Sequence, residues 1–139
     1  MTVRSFFDTN VLVYSDDKAA PSKQHRALDL IADHRRAGTG VLSYQVLQEY
    51  FVTVTKKLRV DPRIARRKVE LLAEFDVAGP SVDDILAAID IHRLHSFSFW
   101  DALILQSAKQ SGCSVVLTED MQGDQEIQGL RIVNPFRQK

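Results

Sequence analysis

VRSFFDTNVLVYS, residues 3–15, decides the fold. An apolar run ends in a single carboxylate, Asp8, followed by Thr9 and Asn10, and the chain turns apolar again through Val11, Leu12 and Val13. The first run, residues 2–7, reads as a short buried strand, and Asn10 to about Tyr14 as a brief helical segment. A charge at the junction of two segments that both seek burial needs a reason.

The rest of the chain alternates in the same way. Residues 22–37 read as a helix with Leu28 and Ile31 on one face and Gly38 as its stop. GTGVL at 38–42 is a short strand. Behind an N-cap Ser43, the segment 44–58 sets Leu47, Tyr50, Phe51, Val54 and Leu58 at helical spacing. Pro62 opens a helix to about Phe75, VAGPSV is a short extended piece, and Ser81-Val-Asp83-Asp84 caps a helix through about Leu94. Residues 99–111 are helical, SVVLT at 114–118 is a buried strand and LRIV at 130–133 a last one. Short apolar strands alternating with helices predict a mostly parallel sheet covered on both faces, a three-layer α/β domain. With no repeat, low-complexity run or linker, residues 1–139 are expected to form one domain.

Composition narrows the function classes. With 45% hydrophobic and 26% charged residues, the chain reads as an ordinary globular protein that needs no covalent staple. The single Cys113 excludes an intrachain disulfide framework and fits a reducing cytosol. No apolar stretch approaches the ~18 residues of a membrane span, and the N-terminus lacks the layout of a secretory signal. A cytoplasmic protein without membrane contact is expected. The formal net charge is zero, so a nucleic-acid partner requires local positive charge.

In open α/β sheets the ligand site lies beyond the carboxyl ends of the strands, because the crossovers diverge there. Asp8 closes the first strand at such an end, and in VVLTED the residue Asp120 follows another buried strand. Asp101, in SFSFWDALILQ, begins a helix beside Phe97, Phe99 and Trp100; Glu49 lies six residues into its own helix. Each acid also has a purely structural reading. Asp8 suits an N-cap, Ser98-Phe-Trp-Asp101 matches a capping box, Asp120 suits a turn, and Glu49 falls opposite the Leu47–Phe51–Val54 stripe where a solvated charge belongs. Their combination is more informative. Carboxylates about 4 Å apart repel by roughly 4 kcal/mol per pair at an effective dielectric of 20. A cluster of them either takes up protons or holds a cation. Oxygen ligands without thiolate or paired imidazole select Mg²⁺ or Mn²⁺ over zinc.

FFDTNVLVY, SYQVLQEYF, SFWDALI and VLTEDMQ, in that order and spacing, resemble the PIN-domain nucleases, and in particular the single-domain VapC-like toxins of bacterial and archaeal toxin–antitoxin pairs. The resemblance extends over nearly the whole chain, to NPF at 134–136. It implies a PIN-like three-layer fold with a short central sheet. It also implies an acidic quartet of Asp8, Glu49, Asp101 and Asp120 holding Mg²⁺ or Mn²⁺, with Asn10 supporting Asp8 and Thr118 supplying a nearby hydroxyl. Among Glu119, Asp120 and Asp124 it favours Asp120; Glu119 is expected to point away and Asp124 to lie in a solvated loop. The implied activity is metal-dependent endonucleolytic cleavage of RNA, blocked by a cognate antitoxin whose Arg or Lys reaches the carboxylates. The family usually dimerises, and the helices at 44–58 and 62–75 are the expected homodimer surface.

Seven basic residues between Lys56 and Lys68 offer a path for RNA. Arg59, Arg63, Arg66 and Arg67 are the candidate contacts, the last three sharing one helical face. A solvated helix face or a dimer rim explains the same pattern. Tyr44, Tyr50 and Phe97 are candidates for stacking on bases, or for burial. His92 and His95 read as a partly exposed helix end, and Cys113 as packing. Three other readings compete: a housekeeping PIN-type RNA-processing nuclease, a non-catalytic PIN-like module that binds RNA or a partner, and a haloacid-dehalogenase-type phosphatase. The last uses a second Asp two residues after the first, where this chain has Asn10.

Overall fold

The computed structural model describes residues 3–123 and 125–137. Its elements run β1 (Ser5–Phe7), α1 (Thr9–Tyr14), α2 (Pro21–Ala37), β2 (Gly40–Ser43), α3 (Tyr44–Lys56) and α4 (Pro62–Leu72). They continue with β3 (Asp76–Ala78), α5 (Val82–His95), α6 (Phe99–Gln110), β4 (Val115–Leu117), β5 (Glu126–Ile127) and β6 (Leu130–Val133). The strands form one sheet in the order β3-β2-β1-β4-β6-β5. Every pairing is parallel except β5 with β6. This is a three-layer α/β/α arrangement around a mostly parallel sheet, as expected from the alternation of elements.

The order of the strands locates the site. From β1 the chain moves outward through β2 to β3, then crosses back through α5 and α6 to place β4 on the other side of β1. Succession therefore reverses between β1 and β4, and crossovers diverge at that switch point to leave a crevice. The register pairs Phe7 with Leu117, and Asp8 N donates to the Leu117 carbonyl at 3.0 Å. The residues that follow these two strands are thereby brought together across more than a hundred positions of sequence.

Burial explains why such short strands suffice. Ser5, Phe6 and Phe7 are all buried, as are all four residues of β2. In α6 every residue from Ala102 to Ala108 is buried, so this helix lies deep in the core rather than presenting one face. Tyr50, Leu42, Leu105 and Ile132 complete the packing. Cys113 is buried as expected, and burial pushes its thiol up to about 11, which leaves it inert at neutral pH.

Local signals set the helix ends. Gly38 closes α2 in the left-handed conformation (φ 69°), as anticipated. Ser43 caps α3 by accepting from Val46 N, and Ser81 with Asp84 forms a full capping box on α5. Two features differ from the sequence expectation. The helix begun at Pro62 ends at Leu72, because Asp76–Ala78 leaves to pair with β2. The β5–β6 hairpin was not expected; its two-residue turn is Gln128-Gly129, with φ of 50° and 87°, the positive pair that such hairpins require.

Gly40 shows how close the packing is. A Cβ there would lie 2.4 Å from the Phe75 ring, which itself stands edge-on to Phe7 with centroids 5.7 Å apart. Gly40→Ala is expected to destabilise the fold by about 1–3 kcal/mol, the usual cost of overpacking, read as a lower urea midpoint with an unchanged m-value.

Candidate active site

Asp8 stands at the switch point, 5% exposed, at the N-cap of α1. Its Oδ1 accepts from Thr9 N at 2.7 Å, and its Oδ2 from the Thr118 hydroxyl at 2.8 Å. The structural reading of Asp8 as a cap is thus correct, and it does not exhaust the residue. Burial, opposed by those two hydrogen bonds, pushes the Asp8 pKa from 3.8 to about 6, with the charges of Asp101 and Asp120 adding to the rise. Asp101 is also raised, first by desolvation and then by Asp120 and Glu49, while Ser98 works against the shift. Ser98 caps α6 by accepting from the Asp101 amide at 3.1 Å. The four acids chosen from the sequence therefore face one another closely enough to interact. All four line a single cleft of about 730 Å³.

Asn10 organises the floor of this cleft. Its Nδ2 lies 3.3 Å from Asp8 Oδ2, 3.2 Å from Thr118 Oγ1 and 3.2 Å from Asp120 Oδ2, so two hydrogens are shared among three acceptors. Its Oδ1 accepts from Glu119 N at 2.9 Å. Thr118, fully buried, donates to Asp8 and accepts from Asp120 N. Asn10 and Thr118 thus tie the loop after β4 to the loop after β1.

The structure also separates Asp120 from its neighbours. Glu119 Oε2 is 2.6 Å from Lys23 Nζ, and Tyr14 Oη donates to Glu119 Oε1 at 2.6 Å. Although burial opposes it, these partners hold the Glu119 pKa below its ordinary value. Glu119 lines the cleft but its charge is already answered, whereas Asp120 is hydrogen-bonded only through its amide and Asn10 among the described residues. Asp124 lies outside the described residues.

Glu49 required a correction to the helix reading. The buried side of α3 is Val46, Tyr50 and Val54, while Phe51 is exposed. The helix is rotated relative to the Leu47–Phe51–Val54 stripe, because its core contacts are made through α1 as well as α4. That rotation turns Glu49, three residues after Val46, toward the cleft, where its Oε1 accepts from the Thr9 hydroxyl at 2.7 Å. It remains exposed, as a solvated charge should be.

Tyr50 is not available to stack on a base: it is 1% exposed and its hydroxyl bonds Asp16. Phe97 is half-buried and Tyr44 is exposed, and neither lines the cleft. Arg59, Arg63, Arg66 and Arg67 also lie outside its lining. Arg63 pairs with Asp61, and Arg66 and Arg67 with Glu70. The basic side chain that does line the cleft is Lys57, whose neighbour Lys56 belongs to the same run of charges. Periodicity gave no means of telling it from the others. Tyr14, Lys23, Thr9 and Trp100 were also missed as members of the site, since their relevance arises from contacts between distant elements.

The PIN domain family model matches residues 5–123. The chain belongs to the PIN domain family. No curated protein matches it in sequence. The PIN domain is similar in structure to VapC20 of Mycobacterium tuberculosis, a sarcin-ricin loop cleaving toxin, with a TM-score of 0.66 and 19% identity over 81% of this chain and 86% of that one. It is also similar to a chain of a toxin–antitoxin complex from Klebsiella pneumoniae, with a TM-score of 0.68 and 20% identity over 94% and 97% of the two chains. Family membership removes the haloacid-dehalogenase reading.

The buried charge of Asp8 makes a specific demand on stability. Its native pKa exceeds the unfolded value, so between about pH 4 and pH 6 the folded state binds more protons than the unfolded one. Asp8 by itself is expected to lower the stability of the metal-free PIN domain by about 2–3 kcal/mol as pH rises through this window. Asp8→Asn should remove that contribution, leaving a different slope. Urea midpoints measured against pH in chelator test this, and parallel curves for the two proteins would refute it.

Proposed function

We propose that this PIN domain is a divalent-metal-dependent endoribonuclease and the toxin of a toxin–antitoxin pair. The observation that carries the reading is charge: among the described residues the cleft is lined by six acids, Asp8, Asp17, Glu49, Asp101, Glu119 and Asp120, against the single base Lys57. Only Glu119 among them has a Lys or Arg partner in the described residues. An uncompensated cluster at the end of a buried strand is costly, and a hard cation relieves it.

The donor set supports Mg²⁺ or Mn²⁺. The available ligands are carboxylate and amide oxygens, without thiolate or imidazole. Among the described residues no three His, Cys, Asp or Glu side chains stand close enough together to hold a metal ion as they are, so an ion here would draw on one or two carboxylates and keep several waters. Asp8 and Asp101 are the proposed principal ligands, with Asp120 and Glu49 completing the negative field. When bound, such an ion lowers the pKa of a water and neutralises charge on phosphate oxygens. Asn10 and Thr118 hold Asp8 and Asp120 in place through the hydrogen bonds described above. Lys57 offers a cation to a phosphate entering the cleft. Arg63, Arg66 and Arg67 are proposed to contact RNA farther out, since exposed ion pairs yield readily to a competing phosphate.

The structural likeness to a loop-cleaving toxin and to a toxin–antitoxin complex supports the toxin role and an antitoxin partner. An antitoxin segment bearing Arg or Lys, laid in the acidic cleft, would occupy the place of the metal's charge. A homodimer is proposed across α3 and α4, where Leu47, Phe51, Val52 and Val69 line an apolar groove. Among the described residues no helix is long and apolar enough to cross a membrane.

Asp8→Asn and Asp101→Asn are each expected to reduce Mn²⁺-dependent cleavage of defined RNAs by at least about 100-fold, the scale of losing a key charge-stabilising group. Circular dichroism and thermal unfolding should show folded proteins in both cases. Full activity in either purified variant, with chelator-sensitive cleavage by the parent, would exclude the assigned roles. Growth arrest on expression without an antitoxin distinguishes a toxin from a housekeeping nuclease.

A further inference from the structure

The charge of the cleft creates a problem for its proposed substrate. Six acids against one base repel a polyanion, and bound cations relieve that repulsion only near the carboxylates. Beside the reacting phosphate, a contact that does not depend on charge would add affinity without meeting that repulsion. Single-stranded nucleic acid offers one, the π-face of an unpaired base.

Trp100, the only tryptophan of the chain, is 61% exposed at the start of α6 and lines the cleft immediately before Asp101. It is not loosely placed. Its ring stands edge-on to Phe99, with centroids 5.2 Å apart and planes at 73°, and Phe99 is half-buried against the core. The platform is thus oriented before any ligand arrives, so little side-chain freedom is lost on binding.

The wall beside it is neutral. Gln45, one helical turn before Glu49 on α3, also lines the cleft. Gln48 on the next turn face adds another neutral amide to this wall. Aromatic surface with neutral hydrogen-bonding groups is the chemistry of base recognition rather than of phosphate capture.

We propose that Trp100 is a base-stacking platform that holds one unpaired nucleotide beside the scissile phosphate. This deepens the ribonuclease reading and rests on RNA being the ligand. Trp100 acts on substrate position, and the chemistry stays with the neighbouring carboxylates.

The test uses a short, labelled single-stranded RNA of mixed sequence. Binding is followed by anisotropy with the parent protein in chelator and with Asp8→Asn in Mg²⁺. Trp100→Ala and Trp100→Leu should each weaken binding by roughly 5- to 100-fold, the range for loss of one stacked base. Trp100→Phe and Trp100→Tyr should restore most of it, which separates a π-face from mere bulk. Intrinsic fluorescence of the parent should be quenched by the single strand and not by an abasic oligonucleotide of equal length. In Mn²⁺, Trp100→Ala should raise KM far more than it lowers kcat. Unchanged binding by both Trp100→Ala and Trp100→Leu, or equal quenching by the abasic strand, overturns the proposal. Failure to bind the single strand at all also overturns it. Cleavage by the parent with unaltered KM in the Trp100 variants sinks the stacking platform alone; quenching by RNA without any cleavage sinks the nuclease reading alone.

Discussion

The structure depends on one electrostatic constraint: the carboxylate of Asp8 is held almost out of water at the end of a strand buried on both faces. Hydrogen bonds from Thr9 and Thr118 reduce the cost of that placement, but Asp101 and Asp120 increase it. A buried acid repelled by other acids is a poor device for stability. The same arrangement would favour any positive charge placed beside it, because the field is already built.

Everything around Asp8 distributes charge with that result. The reversal of strand order between β1 and β4 brings the segments carrying Asp8 and Asp120 side by side. Asn10 spans the gap and touches both, together with Thr118. One residue away, Lys23 and Tyr14 occupy Glu119 and take it out of the repulsive set. The same ammonium lies 4.8 Å from the Tyr14 ring centroid, and Tyr14 packs edge-on to Phe136. An aromatic and ionic clasp thus anchors the loop on which Asp120 rides, while leaving Asp120 itself facing the cleft.

The outer surface follows a different rule from the cleft. Along α4 the arginines answer acids on the same helix or at its cap, so a segment dense in positive charge is locally balanced. Inside the cleft the imbalance is the reverse and is left standing. Lys57, at the end of α3, marks the border between these two regimes. The contrast is between charges paired at the surface and acids left unpaired in the cleft.

Periodicity, turn residues and caps are local properties, and so they were legible in the chain. Gly38, Ser43, Pro62 and Ser81 mark their helices because each satisfies a backbone requirement within four residues of itself. The alternation of short apolar strands with helices implied a covered parallel sheet, and the position of Asp8 after the first strand implied a site at its carboxyl end. Asp8, Asp101 and Asp120 were visible because each adjoins an apolar run where a charge is out of place. Glu49 was not visible from its helix. Its direction depends on which face α1 and α4 bury, and the periodicity favoured Phe51 where the packing chose Val46. The pairing of Glu119 with Lys23, the cleft-side position of Lys57 and the exposed ring of Trp100 likewise arise from contacts between elements far apart in sequence. The sequence alone determined the elements and the acids available to a site, since propensity and hydrophobicity act over a few residues. Tertiary structure decided which of those acids share a field and which are neutralised, because Coulomb energy and desolvation depend on distances through space.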